Sequence, residues 1–318
     1  MNAARTHLLA AWPLCLLLGG AACGEASSPE TVVPIPEEPS PRVDELELDD
    51  RRTTNPVVAV ANLEASIAGL RERLEARPRD REVRGRLLGQ LEVRAAFLGR
   101  YDDFVESERL TAEALELFVG DPRWLVARAG HLGTVHRFDE ALDLLDGAEA
   151  LGAEPTGLER QRIVLRTALG EPMGPLVARA EALVALSDRY DHWTVLAATL
   201  SAAGRYEEAD AAYVRALGRY RDVSPFALAW VSFVRGVMWS ESAGRADLGE
   251  RLYRDALARL PSYVVANVHL SELESPASAL PRLPPPPQPS HSSDHAPAFL
   301  VPKRVPPFPP RPFYATYP

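Results

Sequence analysis

A turn that recurs at a fixed step constrains this chain more than any other feature. Gly99-Arg100-Tyr101, His136-Arg137-Phe138, Gly170, Gly204-Arg205-Tyr206 and Gly244-Arg245-Ala246 mark five such turns. The step from His136 to Gly170, and again from Gly170 to Gly204, is 34 residues, and the flanking steps are 37 and 40. A period of that size means a supersecondary unit that cannot bury its own apolar face and must stack on its neighbours. Composition says what the unit is made of. Ala, Leu, Arg and Glu dominate and aromatics make up only 7%, which favours helix over strand. Each unit reads as two antiparallel helices, with glycine supplying the permissive backbone where the first one ends.

The clearest unit surrounds Gly204. Trp193, Leu196, Ala197 and Leu200 precede it, and Tyr206, Ala209, Tyr213 and Ala216 follow. Small Ala209 and Ala216 let the paired helices approach closely, while Trp193, Leu196 and Tyr213 fill the space between one hairpin and the next. In these types at these offsets the chain resembles the tetratricopeptide repeat (TPR) family, with Ala197 in the place of that family's glycine and Leu200 in that of its tyrosine. Phe138 and Ala141 repeat the pattern after His136, which takes the glycine's turn position; Tyr253, Ala256 and Pro261 repeat it after Gly244. The unit at Gly170 is degenerate, because Pro172, Gly174 and Pro175 open its second helix and Pro175 falls where the family has alanine. Leu63, Ile67, Leu70 and Leu74 lie on one face of a helix over 57–77 that caps the N-terminal end. Residues 263–274 read as the first helix of a sixth unit. The resemblance spans about residues 57–274 and implies an all-α fold, a right-handed superhelical solenoid of about five TPR hairpins plus terminal capping helices.

Its functional implication is a protein-interaction scaffold that binds a protein or extended peptide on a concave face. In that family the face is lined by the second, fifth, ninth and twelfth positions of each first helix. Carried over, these include Arg86, Val93, Arg123, Val126, Arg160, Val164, Asp191, Thr194, Ser201, Val234 and Met238. Arg86, Arg123 and Arg160 fall at one position of three successive repeats, a basic ladder suited to an acidic or extended peptide. The bland alternative is solvated surface arginine.

Chemistry of other kinds finds little support. The formal net charge of −9 supplies no global basic field for nucleic acid. His131, His136, His192 and His269 have no metal-ligand spacing, and neither a phosphate loop nor a nucleophile elbow occurs. Asp102-Asp103 and Glu207-Glu208 sit at helix starts, where negative charge meets the macrodipole favourably. The expectation is no catalytic residue, no cofactor and no metal, so not an enzyme. The rival readings are a non-catalytic subunit of an envelope enzyme complex and an enzyme with an unrecognised groove site.

The flanks read as address and tether. Residues 1–22 have the form of a signal peptide, with Arg5, an apolar Leu8–Leu18 stretch and small residues 19–22. Small residues just before Cys23 resemble a bacterial lipobox, although Gly20 stands where that motif has leucine. Lipidation of Cys23 would anchor the chain at the periplasmic side of the outer membrane; ordinary cleavage after Ala22 would leave it soluble, periplasmic or secreted. Residues 23–56, rich in proline and acids, suit a disordered tether. From 275 to 318 proline density excludes helix. A disordered tail, a polyproline ligand and a frameshift product all fit that composition.

Overall fold

The computed structural model describes residues 46–274. The signal segment 1–22, Cys23, most of the tether and the segment 275–318 lie outside the described residues. Among the described residues there are twelve α-helices and no strand. They are α1 (Pro56–Ala76), α2 (Arg81–Leu98), α3 (Asp102–Leu117), α4 (Pro122–Thr134), α5 (Phe138–Ala150), α6 (Pro155–Ala168), α7 (Met173–Leu186), α8 (Tyr190–Ala202), α9 (Tyr206–Arg219), α10 (Pro225–Val237), α11 (Ala246–Arg259) and α12 (Val264–Glu274). Each packs on the next in successive pairs, so α2–α3, α4–α5, α6–α7, α8–α9 and α10–α11 are the five hairpins, with α1 leading and α12 trailing. This is the all-α array of helical hairpins that the period implies.

Local sequence explains where the helices start and stop. Proline opens α1, α4, α6 and α10, where the missing N–H would have no helical partner. Asn55, Asp80, Asp121 and Glu154 accept hydrogen bonds from backbone N–H groups of the first turns of α1, α2, α4 and α6. The tight turns inside the hairpins share one backbone device. Gly99, Gly170, Gly204 and Gly244 take φ of 65°, 75°, 77° and 70°, and His136 takes 63°, the glycine role the sequence gives it. The N–H of the residue after the left-handed one then reaches back five residues, from Arg137 to Leu132, Glu171 to Arg166 and Arg205 to Leu200.

Packing between the two helices of a hairpin uses a buried triad spaced by four and three residues. Ala141-Leu145-Ala148 in α5 and Ala209-Tyr213-Ala216 in α9 follow the expected offsets, as does Gly249-Tyr253-Ala256 in α11. In α7 the triad is Leu176-Ala180-Leu183, so Leu176 takes the place assigned to Pro175, which sits in the first turn where proline is tolerated. In α3 it is Ser107-Thr111-Ala114, reached after a longer first stretch of helix.

The array also returns to its start. Phe97 near the end of α2 is fully buried, with its ring 5.1 Å from that of Phe226 in α10 and 4.6 Å from that of Tyr263 before α12. Helix α12 packs on α2 as well as on α11. Residues 46–55, placed by their composition in a free tether, are likewise held: Thr54 N–H donates to the Val223 carbonyl at 2.7 Å and Leu46 packs on the main core.

Candidate binding surface

The first helices of successive hairpins present the expected binding positions very unequally. Arg86 on α2 is exposed and 4.0 Å from Glu82 of its own helix. Arg123 on α4 is 71% exposed at its side chain and paired to the helix-capping Asp121 at 2.7 Å. Val93 of α2 and Val126 of α4 are half-buried. Arg160 on α6 differs. It is buried and bonds Asp191 of α8, joining two hairpins. Burial opposes the charge on Asp191, but Arg160, His192 and Arg189 around it hold its carboxyl below the usual range. Thr194 is fully buried, with its hydroxyl donating back to the Asp191 carbonyl at 3.0 Å. Ser201 is half-buried. A ladder of three equivalent arginines is therefore not what the structure presents, because the third serves as an internal tie. Helices α6 and α8 pack directly on each other, and the place that opens to solvent on α2 is closed on α6.

Several other arginines are also ties between helices. Arg94 forks onto Asp103 with both bonds at 2.7 Å and reaches Glu64 at 2.5 Å, linking α1, α2 and α3. Arg128 and His131 of α4 both meet Glu108 of α3, at 2.5 and 2.9 Å. Burial keeps the His131 imidazole below its ordinary pKa despite Glu108, so it acts as a neutral donor. Arg71, Arg162 and Arg179 make comparable pairs. These pairs tie neighbouring helices to one another laterally.

A second constellation lies between α9, α10 and α11. Arg235 is 1% exposed; its Nε and one terminal nitrogen bond the two oxygens of Asp210 at 2.8 Å each. Trp239 Nε1 donates to the same carboxylate at 2.9 Å. The remaining terminal nitrogen of Arg235 donates to the backbone carbonyl of Glu47 at 2.9 Å. Arg259, paired to Asp255 through Nε at 3.1 Å, gives a terminal N–H to the Asp49 carbonyl. Arg51 in turn donates to the carbonyls of Leu217 and Tyr220 at 2.6 and 2.8 Å, at the end of α9 where carbonyls lack helical partners. Partial burial works against ionised Asp49, and Arg51 and Arg259 override it, holding that carboxyl below the usual range.

Sequence reasoning passed over this constellation. One signal was available: Arg235 is the lone charge in the apolar run Pro225–Val237, and such a charge must find a partner when buried. The docking of residues 46–51 had no local signal, because it depends on which helices lie beside the chain. Among the described residues no group of three or more His, Cys, Asp or Glu side chains could hold a metal ion. Nor is any described helix long and apolar enough to cross a membrane.

No family profile matches the chain, and no curated protein does. Among solved structures, YrrB, described as a TPR protein with an unusual peptide-binding site, aligns with 64% of this chain and 97% of its own at 14% identity and a TM-score of 0.35. A likeness that slight carries no argument about family or ligand.

Proposed function

We propose that the chain is a non-catalytic interaction scaffold that binds a protein or extended peptide, exported and held at the periplasmic side of the bacterial outer membrane by a lipid on Cys23. One observation carries the interaction reading: the array already holds a non-helical stretch of polypeptide, residues 46–51, through its main-chain carbonyls. Stacked helices present such donors without ordering cost at the moment of binding. The face offered to a partner is that of α2 and α4, where Arg86 and Arg123 stand exposed beside half-buried Val93 and Val126. Guanidinium groups there would fork onto carboxylates of the partner. Export and anchoring rest on the small residues before Cys23 and on the acidic, proline-rich stretch after it.

Crosslinking of the full chain in its native host, followed by mass spectrometry, tests the scaffold reading. The expected result is a protein crosslinked to α2 and α4, with recovery reduced at least fivefold by Arg86→Glu combined with Arg123→Glu. Recovery of nothing overturns the reading, and full recovery by the double variant removes that face from it. For the anchor, a fatty acid label should enter the parent and not Cys23→Ser; an unlabelled parent excludes it.

A further inference from the structure

Arg235 and Arg259 are built alike. Each guanidinium is held by a carboxylate of the helical array, the first by Asp210 through two bonds and the second by Asp255 through Nε alone. Each turns a remaining N–H to a backbone carbonyl of the strap formed by residues 46–51, Glu47 for the first and Asp49 for the second. The two carbonyls are two residues apart, the spacing at which an extended chain presents groups on one side. Main-chain recognition of this kind reads no side chain. Selectivity comes from the flanks, where Leu46 packs on the core and Arg51 donates to the carbonyls at the end of α9. With residues 46–51 seated, Arg235 is 1% exposed and its N–H toward the crevice is satisfied by the Glu47 carbonyl, so an incoming chain must offer a main-chain acceptor at the same place.

We propose that the crevice between α9, α10 and α11 is a peptide-binding site, occupied in cis by residues 46–51, and that it takes in trans an acidic segment of the same pattern: Leu-acid-Leu-acid-acid-Arg. A trans ligand presupposes the interaction role proposed above. The cis segment is covalently attached a few residues before α1, so it competes at an effective concentration of roughly millimolar. The site is thus self-inhibited, and a partner engages it by displacing the strap.

The probe is a fluorescent peptide of residues 44–53, Asp-Glu-Leu-Glu-Leu-Asp-Asp-Arg-Arg-Thr, followed by anisotropy against three full-length proteins. These are the parent, a variant with a loosened strap (Leu46→Asp with Arg51→Ala), and that variant carrying Arg259→Ala as well. The loosened variant should bind the peptide at least tenfold tighter than the parent, and Arg259→Ala should reverse that gain. A scrambled peptide of the same composition should bind at least tenfold more weakly. Equal binding by parent and loosened variant, no binding by either, or equal binding of the scrambled peptide overturns the site. Hydrogen exchange on the unmodified parent keeps the test independent of how the variants fold. The Arg51 and Thr54 amides, which have acceptors, should be protected alone and lose protection under excess peptide, whereas protection unchanged by the peptide counts against displacement. A partner crosslinked at α2 and α4 together with no peptide binding here overturns this site and leaves the scaffold reading standing.

Discussion

Glu92 is a carboxyl group in a place the next three hairpins give to apolar side chains. Seven residues before the left-handed turn residue come Glu92, Ala129, Ile163 and Ala197, all buried. Burial pushes the Glu92 carboxyl up to about 8, so at neutral pH it is mostly protonated in the folded chain. An unfolded chain ionises glutamate near 4.5. Between those values the native state keeps a proton that the unfolded state gives up, so stability falls as pH rises. The contribution is fully present below about 4.5 and lost as pH climbs through about 8, a difference on the order of 5 kcal/mol. Thermal melts of the parent should therefore show a falling midpoint from pH 5 to pH 8, and Glu92→Gln should remove most of that slope. Parallel slopes in the two proteins would refute this role for Glu92. Its residue type reads as surface, because glutamate on a helix is ordinarily exposed; only the repeat register, which aligns it with Ala129, Ile163 and Ala197, marks the place as buried. His136 shows the opposite case. Its left-handed backbone was legible from position alone, since the turn spacing leaves one residue to adopt it.

Helices α10 and α11 show how one inserted residue is absorbed. Arg245 N–H reaches back six residues to the Trp239 carbonyl, against five in the turns at Arg137, Glu171 and Arg205. The extra residue sits in a π turn over Met238–Ser242. Opposite it the two helices nearly touch: a Cβ at Gly236 would lie 2.6 Å from the Tyr253 ring, and one at Gly249 would lie 2.4 Å from Ser240 Cβ. Tyr253 and Ser240 close the contact with a hydroxyl pair at 2.9 Å. Two glycines in this array therefore do different work. At Gly204 a Cβ would meet nothing within 4 Å, so Gly204→Ala should cost only the left-handed backbone, about 1 kcal/mol. Gly249 has ordinary helical backbone, and Gly249→Ala should cost about 3 kcal/mol through overpacking against α10. Urea unfolding of the two variants distinguishes them, and equal losses would contradict the close approach. The five hairpins could be read in advance because their period survives in the turn residues. The 40-residue step signals an insertion, and sequence alone places it at the junction near 218–228. The structure divides it between the 220–224 loop and a longer first helix, which continues through the π turn over 225–242 where α8 spans 190–202, since backbone hydrogen-bond slippage leaves no mark on residue types.

A solenoid held only by nearest-neighbour interfaces frays from its ends, because each terminal unit has a single partner. This array gives its ends a shared interface. The Phe97 ring lies against Phe226 and Tyr263, and Val264 at the start of α12 approaches to 3.4 Å of where a Cβ on Gly99 would stand. Tyr263 is tied in turn to Phe233, with ring centroids 5.1 Å apart, so the first hairpin is coupled into the fifth. No local pattern foretold the closure, since the resemblance to an open solenoid describes how neighbours stack and not whether the stack comes round. For binding, the consequence is economy of surface: with Arg160, Val164 and Thr194 buried, the accessible stretch of the first-helix face narrows to α2 and α4. For stability, it means that damage at one end is felt at the other. Phe97→Ala removes a fully buried ring and should destabilise the chain by about 3–5 kcal/mol. A plain core vacancy would give the same loss, so location is the deciding measurement. Hydrogen exchange should rise in α12, residues 264–274, at least as much as in the neighbouring α3, because both the Tyr263 contact and the α12–α2 packing lose their support. If faster exchange stays confined to α1, α2 and α3, the two ends are not coupled, and the array behaves as an open stack whose last helix rests on α11 alone.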